Sequence, residues 1–195
     1  MPRVPVFYAT TEGHTRRIAH AIASTLREQG FDSEPLDLES PEAPDWQHIT
    51  AAIVGGSIHA GRHQRAVERF VARESRQLAV RPSAFFSVSL SVASRNPKKS
   101  AAARKIARSF VEGAGWSPQW LTCFAGKLAY SQYGFFTRLM MRLIARGEGQ
   151  PTDTSRDYDY TDWSAVREFA LEIASNLRSG ANFFPSLPMV ASVTR

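Results

Sequence analysis

Short apolar runs alternate along this chain with amphipathic helical patterns, and this alternation restricts the fold more than any other feature. A typical helical pattern is Ile18, Ile22 and Leu26, which repeat at the spacing of one helix face. Strands are predicted over residues 4–9, 33–38, 51–54, 84–88 and 120–125, and helices up to residue 29 and over 67–78, 103–113 and 163–177. Such alternation predicts an α/β fold, in which a parallel sheet carries helices on both faces.

The chain has 195 residues, of which 43% are hydrophobic, and this suits a single buried core. We expect one domain over residues 1–178, with residues 127–162 inserted between the last strand and the last helix. The tail, residues 179–195, is expected to be loosely ordered, as termini often are. Pro5 is unfavourable within the first strand, because proline has no backbone N–H to donate to a neighbouring strand.

Several function classes receive no support from the composition. Cys123 is the single cysteine, so no intrachain disulfide can form, and it reads as a small core residue. The histidines lack the spacing of a metal site, and no serine lies in a Gly-x-Ser-x-Gly elbow. Without a long apolar run or a signal-peptide pattern, we expect a cytoplasmic protein. The net charge of +6 favours anionic partners, and the alternative is a solvated basic surface with no specific partner.

The turn between the first strand and the first helix carries three hydroxyl side chains around a glycine. It reads Thr10, Thr11, Glu12, Gly13, His14 and Thr15. Backbone N–H groups at a helix N-terminus and hydroxyls that can donate are what phosphate binding needs. The turn lacks the lysine of a Walker loop. It therefore predicts a phosphate site, although a plain strand–helix turn with a threonine cap has the same residues.

The loops after the later strands should lie beside this turn, because ligands of such sheets bind at the carboxyl ends of the strands. Gly55 and Gly56 would allow close backbone contact with a flat ring. His59 would cover the ring or donate a hydrogen bond to it, and backbone groups after the fourth strand would read its polar edge. The predicted contacts outside the first turn are Ser57, Ile58, His59, Gly61, Ser87, Val88, Ser89, Leu90, Arg95 and Gly126. The plainer alternatives are a glycine-rich turn with an exposed histidine and an ordinary loop start.

Residues 10–15 resemble the signature of hydroxyl residues around a glycine with which flavodoxins bind the phosphate of FMN. Residues 55–61, 82–88 and 160–163 are similar to segments of one flavodoxin subgroup, the menaquinone-dependent protoporphyrinogen IX dehydrogenase family of bacteria. The resemblance covers residues 4–177 in unbroken order and includes the insertion. It implies a flavodoxin-like, doubly wound, five-stranded parallel sheet with a helical insertion before the last helix.

The resemblance also implies a reaction and its partners. FMN would oxidise protoporphyrinogen IX to protoporphyrin IX in haem synthesis, and the electrons would pass to a membrane quinone, either menaquinone or ubiquinone. The protein would bind and orient the flavin, which supplies the redox chemistry. We identify no catalytic acid or base. The expected location is the cytoplasmic face of the cell membrane, on an anionic lipid surface, and no nucleic acid is expected as a partner.

Other functions remain open at this stage. A flavodoxin that only shuttles electrons has the same phosphate turn, although such carriers are typically acidic and this chain is basic. An FMN-dependent NAD(P)H:quinone reductase needs no separate nicotinamide motif. A module that binds nucleic acid or membrane and has lost its flavin is disfavoured by the intact threonine-rich turn.

The insertion is predicted to hold an amphipathic helix within residues 127–150. Arg138, Arg142 and Arg146 follow one another at intervals of four and form a basic stripe. The apolar side consists of Phe135, Phe136, Leu139, Met140, Leu143 and Ile144. Such a helix can lie in the headgroup layer of an anionic membrane, or its arginines can pair with the propionates of a porphyrinogen. Alternatively, it packs its apolar side on the domain and exposes its arginines to water.

Overall fold

The computed structural model describes residues 1–40, 43–128 and 157–180. The strands of this part are β1 (Val6–Tyr8), β2 (Pro35–Asp37), β3 (Ala52–His59), β4 (Arg62–His63), β5 (Ser83–Ser89), β6 (Trp120–Ala125), β7 (Lys127–Leu128) and β8 (Tyr158–Asp159). Its helices are α1 (His14–Glu28), α2 (Arg65–Ala79), α3 (Pro97–Gly113) and α4 (Trp163–Ser179). A short 3₁₀ turn, Leu90–Ala93, follows β5.

Five of these strands form one parallel sheet in the order β2-β1-β3-β5-β6. This is the predicted fold class, and the sequence prediction of a five-stranded parallel sheet is confirmed. Two short antiparallel pairs accompany this sheet, one joined to it through β3 and one forming a separate two-stranded sheet. In one of them β4 folds back on the end of β3, and in the other β7 pairs with β8.

The sheet separates two apolar cores, because neighbouring residues of a strand point to opposite faces. Val6 and Phe86 contribute to the core under α1 and α4. Phe7 and Phe85 contribute to the core under α2 and α3. Helices therefore cover both faces, as the alternating sequence pattern predicts.

Pro5 is accommodated just before β1 without interrupting the sheet. The N–H groups of Val4 and Val6 donate to Asp32 and Glu34 on one side, at 2.7 and 2.9 Å. The carbonyl of Pro5 accepts from the N–H of Ile53 on the other side, at 3.1 Å. The missing N–H thus removes one bond from the ladder, and the bonds on either side of it hold the strand in place.

The third strand runs four residues beyond Gly55, which corrects the prediction of a loop over residues 55–61. A Cβ at Gly55 would lie 1.9 Å from the Phe86 ring, and a Cβ at Gly56 would lie 2.9 Å from Val67. At both positions, neighbouring side chains occupy the space that a side chain on the glycine would need. Gly55 and Gly56 are therefore packing positions inside the sheet. Only residues 60 and 61 form the turn.

The ends of the helices follow the sequence signals. Helix α1 ends at Glu28, and Gly30 then adopts a positive φ of 85°. Helix α4 begins after Asp162, whose carboxylate accepts from the N–H groups of Ser164 and Ala165 at 3.0 and 3.1 Å. Asp162 is therefore the N-cap of α4, and the hydroxyl of the preceding residue, Thr161, donates to the carbonyl of Ala125 instead.

Candidate functional site

The carboxyl ends of β1, β3, β5 and β6 meet around one open cleft of about 290 Å³. A larger groove of about 730 Å³ lies at the β2 edge and contains none of the predicted site residues. The cleft is lined by Thr10, Glu12, His14, Thr15, Ser57, Ile58, His59, Ala60, Gly61, Val88, Ser89, Leu90, Ser91, Gly126 and Lys127. Twelve of these fifteen residues are among those predicted from the sequence.

The first wall of the cleft is the turn from β1 into α1. Gly13 precedes the helix in the left-handed conformation, with φ 77°, which glycine adopts without strain. Thr15 is buried, whereas Thr11 is exposed and lies outside the cleft lining. The hydroxyl oxygen of Thr10 is buried and has no hydrogen-bond partner. An unpaired buried hydroxyl is costly, so this turn has a free polar group beside a helix N-terminus.

His14 is the first residue of α1 and is the most buried polar ring of the cleft, with 8% of its side chain exposed. Its Nε2 lies 2.6 Å from the Thr161 hydroxyl, which donates to the carbonyl of Ala125 at 2.9 Å. Burial lowers the pKa of His14, and the nearby carboxylate of Asp159 only partly offsets this effect. The other ring nitrogen, Nδ1, is buried and unpaired.

The second wall is the hairpin of β3 and β4. Ala60 and Gly61 form its two-residue turn with φ values of 48° and 80°, the positive values that tight hairpins favour. The side chain of Gln64 fixes the position of Ser57. It accepts from the Ser57 N–H at 2.9 Å and donates to the Ser57 hydroxyl. That hydroxyl also lies 3.0 Å from Nε2 of His59.

The third wall comes from the ends of β5 and β6. The Ser89 hydroxyl accepts from the N–H of Ser91 at 3.2 Å and so starts the 3₁₀ turn. The Ser89 carbonyl accepts from the N–H of Gly126 at 3.2 Å. These contacts fix the backbone of both strand ends against each other beside the cleft.

Besides Thr11 and Gly13, two further predicted contacts lie outside the lining of the cleft. Ser87 is 1% exposed and its hydroxyl lies 2.9 Å from Nε2 of His63, so its side chain belongs to the core under α2 and α3. Alternation along β5 explains this, because Ser87 points to the opposite face from Val88. Arg95 is exposed beyond the 3₁₀ turn and is absent from the cleft lining. Neither side chain therefore lines the cleft, and a contact of either residue with the ligand stays a prediction.

Sequence reasoning missed three kinds of residue at this site. Lys127 is the first residue of the predicted insertion, but it lines the cleft, with its Nζ 2.8 Å from a carboxylate oxygen of Asp157. Gln64 supports Ser57 through hydrogen bonds but does not itself line the cleft, and no binding motif surrounds it in the sequence. Thr161 and Asp159 contact His14 although they lie 145 or more residues away in the sequence. No local sequence pattern predicts such a contact.

Other predictions fall outside the described residues. The stripe of Arg138, Arg142 and Arg146 lies there, as do most of the insertion and the tail after residue 180. Within the described ranges, no cluster of three or more His, Cys, Asp or Glu side chains could hold a metal ion. No helix among the same residues combines the length and the apolar character needed to cross a bilayer.

Comparison with known proteins agrees with this architecture. The profile of the family described as "Flavodoxin domain" matches residues 5–155. Solved flavodoxins have the same fold at low sequence identity. The oxidised Flavodoxin 1 of Bacillus cereus superposes with a TM-score of 0.53 at 18% identity, covering 89% of this chain and 97% of that one. A C101A flavodoxin from Pseudomonas aeruginosa gives 0.55 at 11% identity, covering 90% and 99%.

Two relatives are closer in sequence. The protoporphyrinogen IX dehydrogenase [quinone] of Escherichia coli strain K12 is 36% identical over 169 residues, which are 87% of this chain and 93% of that protein. The protein of the same name from Leishmania major is 34% identical over 175 residues, or 89% and 75% of the two chains. With this identity over most of both lengths, the chain belongs to the flavodoxin-domain proteins and, among them, to the protoporphyrinogen IX dehydrogenase [quinone] family.

Proposed function

We propose that this protein binds FMN in the cleft and oxidises protoporphyrinogen IX to protoporphyrin IX for haem synthesis, with a membrane quinone as electron acceptor. The relatives carry the name of this activity at 34–36% identity. Their name includes a quinone but does not say which one, so menaquinone and ubiquinone are both candidates. The family supports the reaction, and the cleft supports the cofactor.

The observation that carries the cofactor proposal is the unpaired hydroxyl of Thr10. It is buried in a turn that leads into the N-terminus of α1, where unpaired backbone N–H groups and the helix dipole favour an anion. A phosphate group there would satisfy the hydroxyl. Thr15 is buried in the first turn of the same helix and adds a second hydroxyl. The residues present therefore fit the phosphate of FMN.

The other two walls suit the flat ring of the flavin. Ser57–Gly61 and Ser89–Leu90 face the cleft from two sides, and Gly126 lies close to the second of them, since an added Cβ would be 3.5 Å from the backbone nitrogen of Leu90. Bound here, the flavin supplies the hydride chemistry. The protein's part is to fix the ring between rigid strand ends, and Gln64 contributes by holding the Ser57 backbone in place.

The location at the membrane is part of the same proposal. A quinone dissolved in the bilayer requires the protein to approach the lipid surface from the cytoplasmic side. The net charge of +6 suits an anionic surface. We assign the contact to the insertion, where the stripe of Arg138, Arg142 and Arg146 predicted from the sequence would match lipid phosphates or the propionates of the substrate.

An anaerobic assay tests the reaction. FMN-loaded protein is mixed with protoporphyrinogen IX with and without a quinone, and porphyrin fluorescence is followed. We expect fluorescence to rise catalytically only when the quinone is present. A parallel sample receives NADPH and quinone without porphyrinogen, and rapid NADPH oxidation in that sample would favour a quinone reductase instead. Porphyrin formation at the same rate with and without the quinone would contradict the proposal.

A further inference from the structure

His14 is buried in the wall of the proposed phosphate site, and its surroundings determine where its proton lies. The Thr161 hydroxyl has one hydrogen, and the Ala125 carbonyl 2.9 Å away can only accept it. The Thr161 oxygen is therefore left to accept from His14, so Nε2 at 2.6 Å carries a hydrogen. Asp159 supports this arrangement, because its Oδ1 lies 3.7 Å from the same Nε2.

The other ring nitrogen of His14 then decides how the site receives an anion. In the neutral ring with hydrogen on Nε2, Nδ1 has only a lone pair, and this atom is buried without a partner. A phosphate oxygen also presents lone pairs. The two would repel each other unless a hydrogen lay between them.

The charged groups around His14 come from four parts of the chain. Asp159 on β8 favours a positive ring, whereas Arg17 on α1 and Lys127 on β7 oppose it. Glu12 lines the same cleft from the preceding turn. Burial acts against the charge more strongly than any of these groups and lowers the pKa of the free protein's His14. The ring of the free protein is therefore mostly neutral at pH 7.

We propose that His14 takes up one proton from solvent when the flavin phosphate binds, so that Nδ1–H donates to the phosphate and the imidazolium offsets its charge. This inference depends on the proposed binding of FMN and extends it. It makes the affinity for FMN dependent on pH, and it gives the protein a means to prefer FMN over riboflavin, which has no phosphate.

The affinity for FMN measured against pH gives the first test, with the variant His14→Gln as the comparison. Glutamine keeps a donor for Thr161 but cannot take up a proton. The ionisation of the phosphate itself affects both proteins equally and cancels in their ratio. We expect the affinity of the natural protein relative to the variant to rise as the pH falls from about 8 to 6, by at most about tenfold per pH unit. Riboflavin should show no such trend.

Two measurements on the unmutated protein keep the test valid even if the variant folds poorly. In ¹⁵N-histidine NMR spectra at pH 7, we expect His14 to be neutral with hydrogen on Nε2 before FMN is added, and to carry hydrogen on both nitrogens afterwards. Calorimetry in two buffers of different ionisation enthalpy should show net proton uptake on FMN binding that is absent with riboflavin.

The outcomes separate this inference from the proposed cofactor. Tight FMN binding with His14 still neutral in the complex, or with the same pH dependence in the His14→Gln variant, would overturn the proton uptake and leave FMN as the cofactor. Failure of the unmutated protein to bind FMN at any pH would overturn both. Activity with porphyrinogen does not enter the comparison.

Discussion

Thr10 and Thr11 are adjacent residues with the same side chain but different surroundings. The hydroxyl of Thr10 is buried and unpaired in the cleft, while Thr11 is exposed outside it. We therefore expect Thr10→Val to weaken FMN binding by about tenfold to a hundredfold, the value of one hydrogen bond to a charged group. Thr11→Val is the matched control and should bind FMN normally. Isothermal titration of both variants checks this, and equal affinities would place the phosphate elsewhere.

His63 is a second buried histidine, but its position is structural. Its Nε2 lies 2.9 Å from the Ser87 hydroxyl, and its ring packs between Phe85 and Phe110. Burial lowers the pKa of His63 from its usual 6.5 to about 4. The folded protein thus keeps this ring neutral over a pH range in which the unfolded chain protonates it.

This difference predicts a loss of stability in acid. Below pH 6.5 the unfolded state binds the proton first, so the free energy of unfolding should fall as the pH drops towards 4, by up to about 3 kcal/mol from this group. The double variant His63→Phe, Ser87→Ala removes the group together with its partner and should flatten the decline. His20→Gln, at an exposed site on α1, is the control. Parallel urea-denaturation curves against pH for the double variant and the unmutated protein would contradict this account.

At the scale of elements, β3 determines the shape of the cleft because it continues past its two glycines to His59. Gly55 has Phe86 where its side chain would be, 1.9 Å from an added Cβ. We expect Gly55→Ala to lower the free energy of unfolding by about 1–3 kcal/mol through overpacking. Adding Phe86→Leu should restore part of that loss. Thermal denaturation measures both, and an undisturbed Gly55→Ala protein would refute the packing role.

Gly56 has a related but distinct role. An added Cβ there would meet Val67 at 2.9 Å and the side-chain oxygen of Gln64 at 3.3 Å. The same Gln64 side chain accepts from the Ser57 N–H. A larger residue at Gly56 would therefore displace Gln64, and this displacement would move Ser57 at the cleft. We expect a bulky change at Gly56 to alter the flavin spectrum or redox potential indirectly, by displacing Gln64 and with it Ser57.

The insertion provides a prediction at the same scale. Replacing Arg138, Arg142 and Arg146 with Gln should leave FMN binding intact. If the stripe contacts lipid or substrate, binding to anionic vesicles should fall or the KM for porphyrinogen should rise. The loss should be greater at low salt than at high salt, because at high salt these charge contacts are already weakened by screening. Vesicle sedimentation and steady-state kinetics measure the two effects. Normal results in both would show that the arginines merely face water.

For the whole molecule, local signals in the sequence predicted most of the sheet and of the cleft. Strand β6 has the predicted bounds, since its apolar run is flanked by a proline-containing turn and a glycine. The extension of β3 was missed because Gly55 and Gly56 resemble a turn, and only their contacts with Phe86 and Val67 explain them. The pairing of His14 with Thr161 joins positions 147 residues apart, and no local pattern contains it.

We propose that hydrogen removed from protoporphyrinogen IX reaches a quinone through this protein. The most direct measurement is the electron balance of the anaerobic reaction, in which quinol and porphyrin are quantified together with catalytic amounts of FMN-loaded protein. We predict that the quinol formed accounts for all the hydrogen lost by the porphyrinogen. Porphyrin that accumulates without matching quinol, or quinol that forms without porphyrin, would contradict the account.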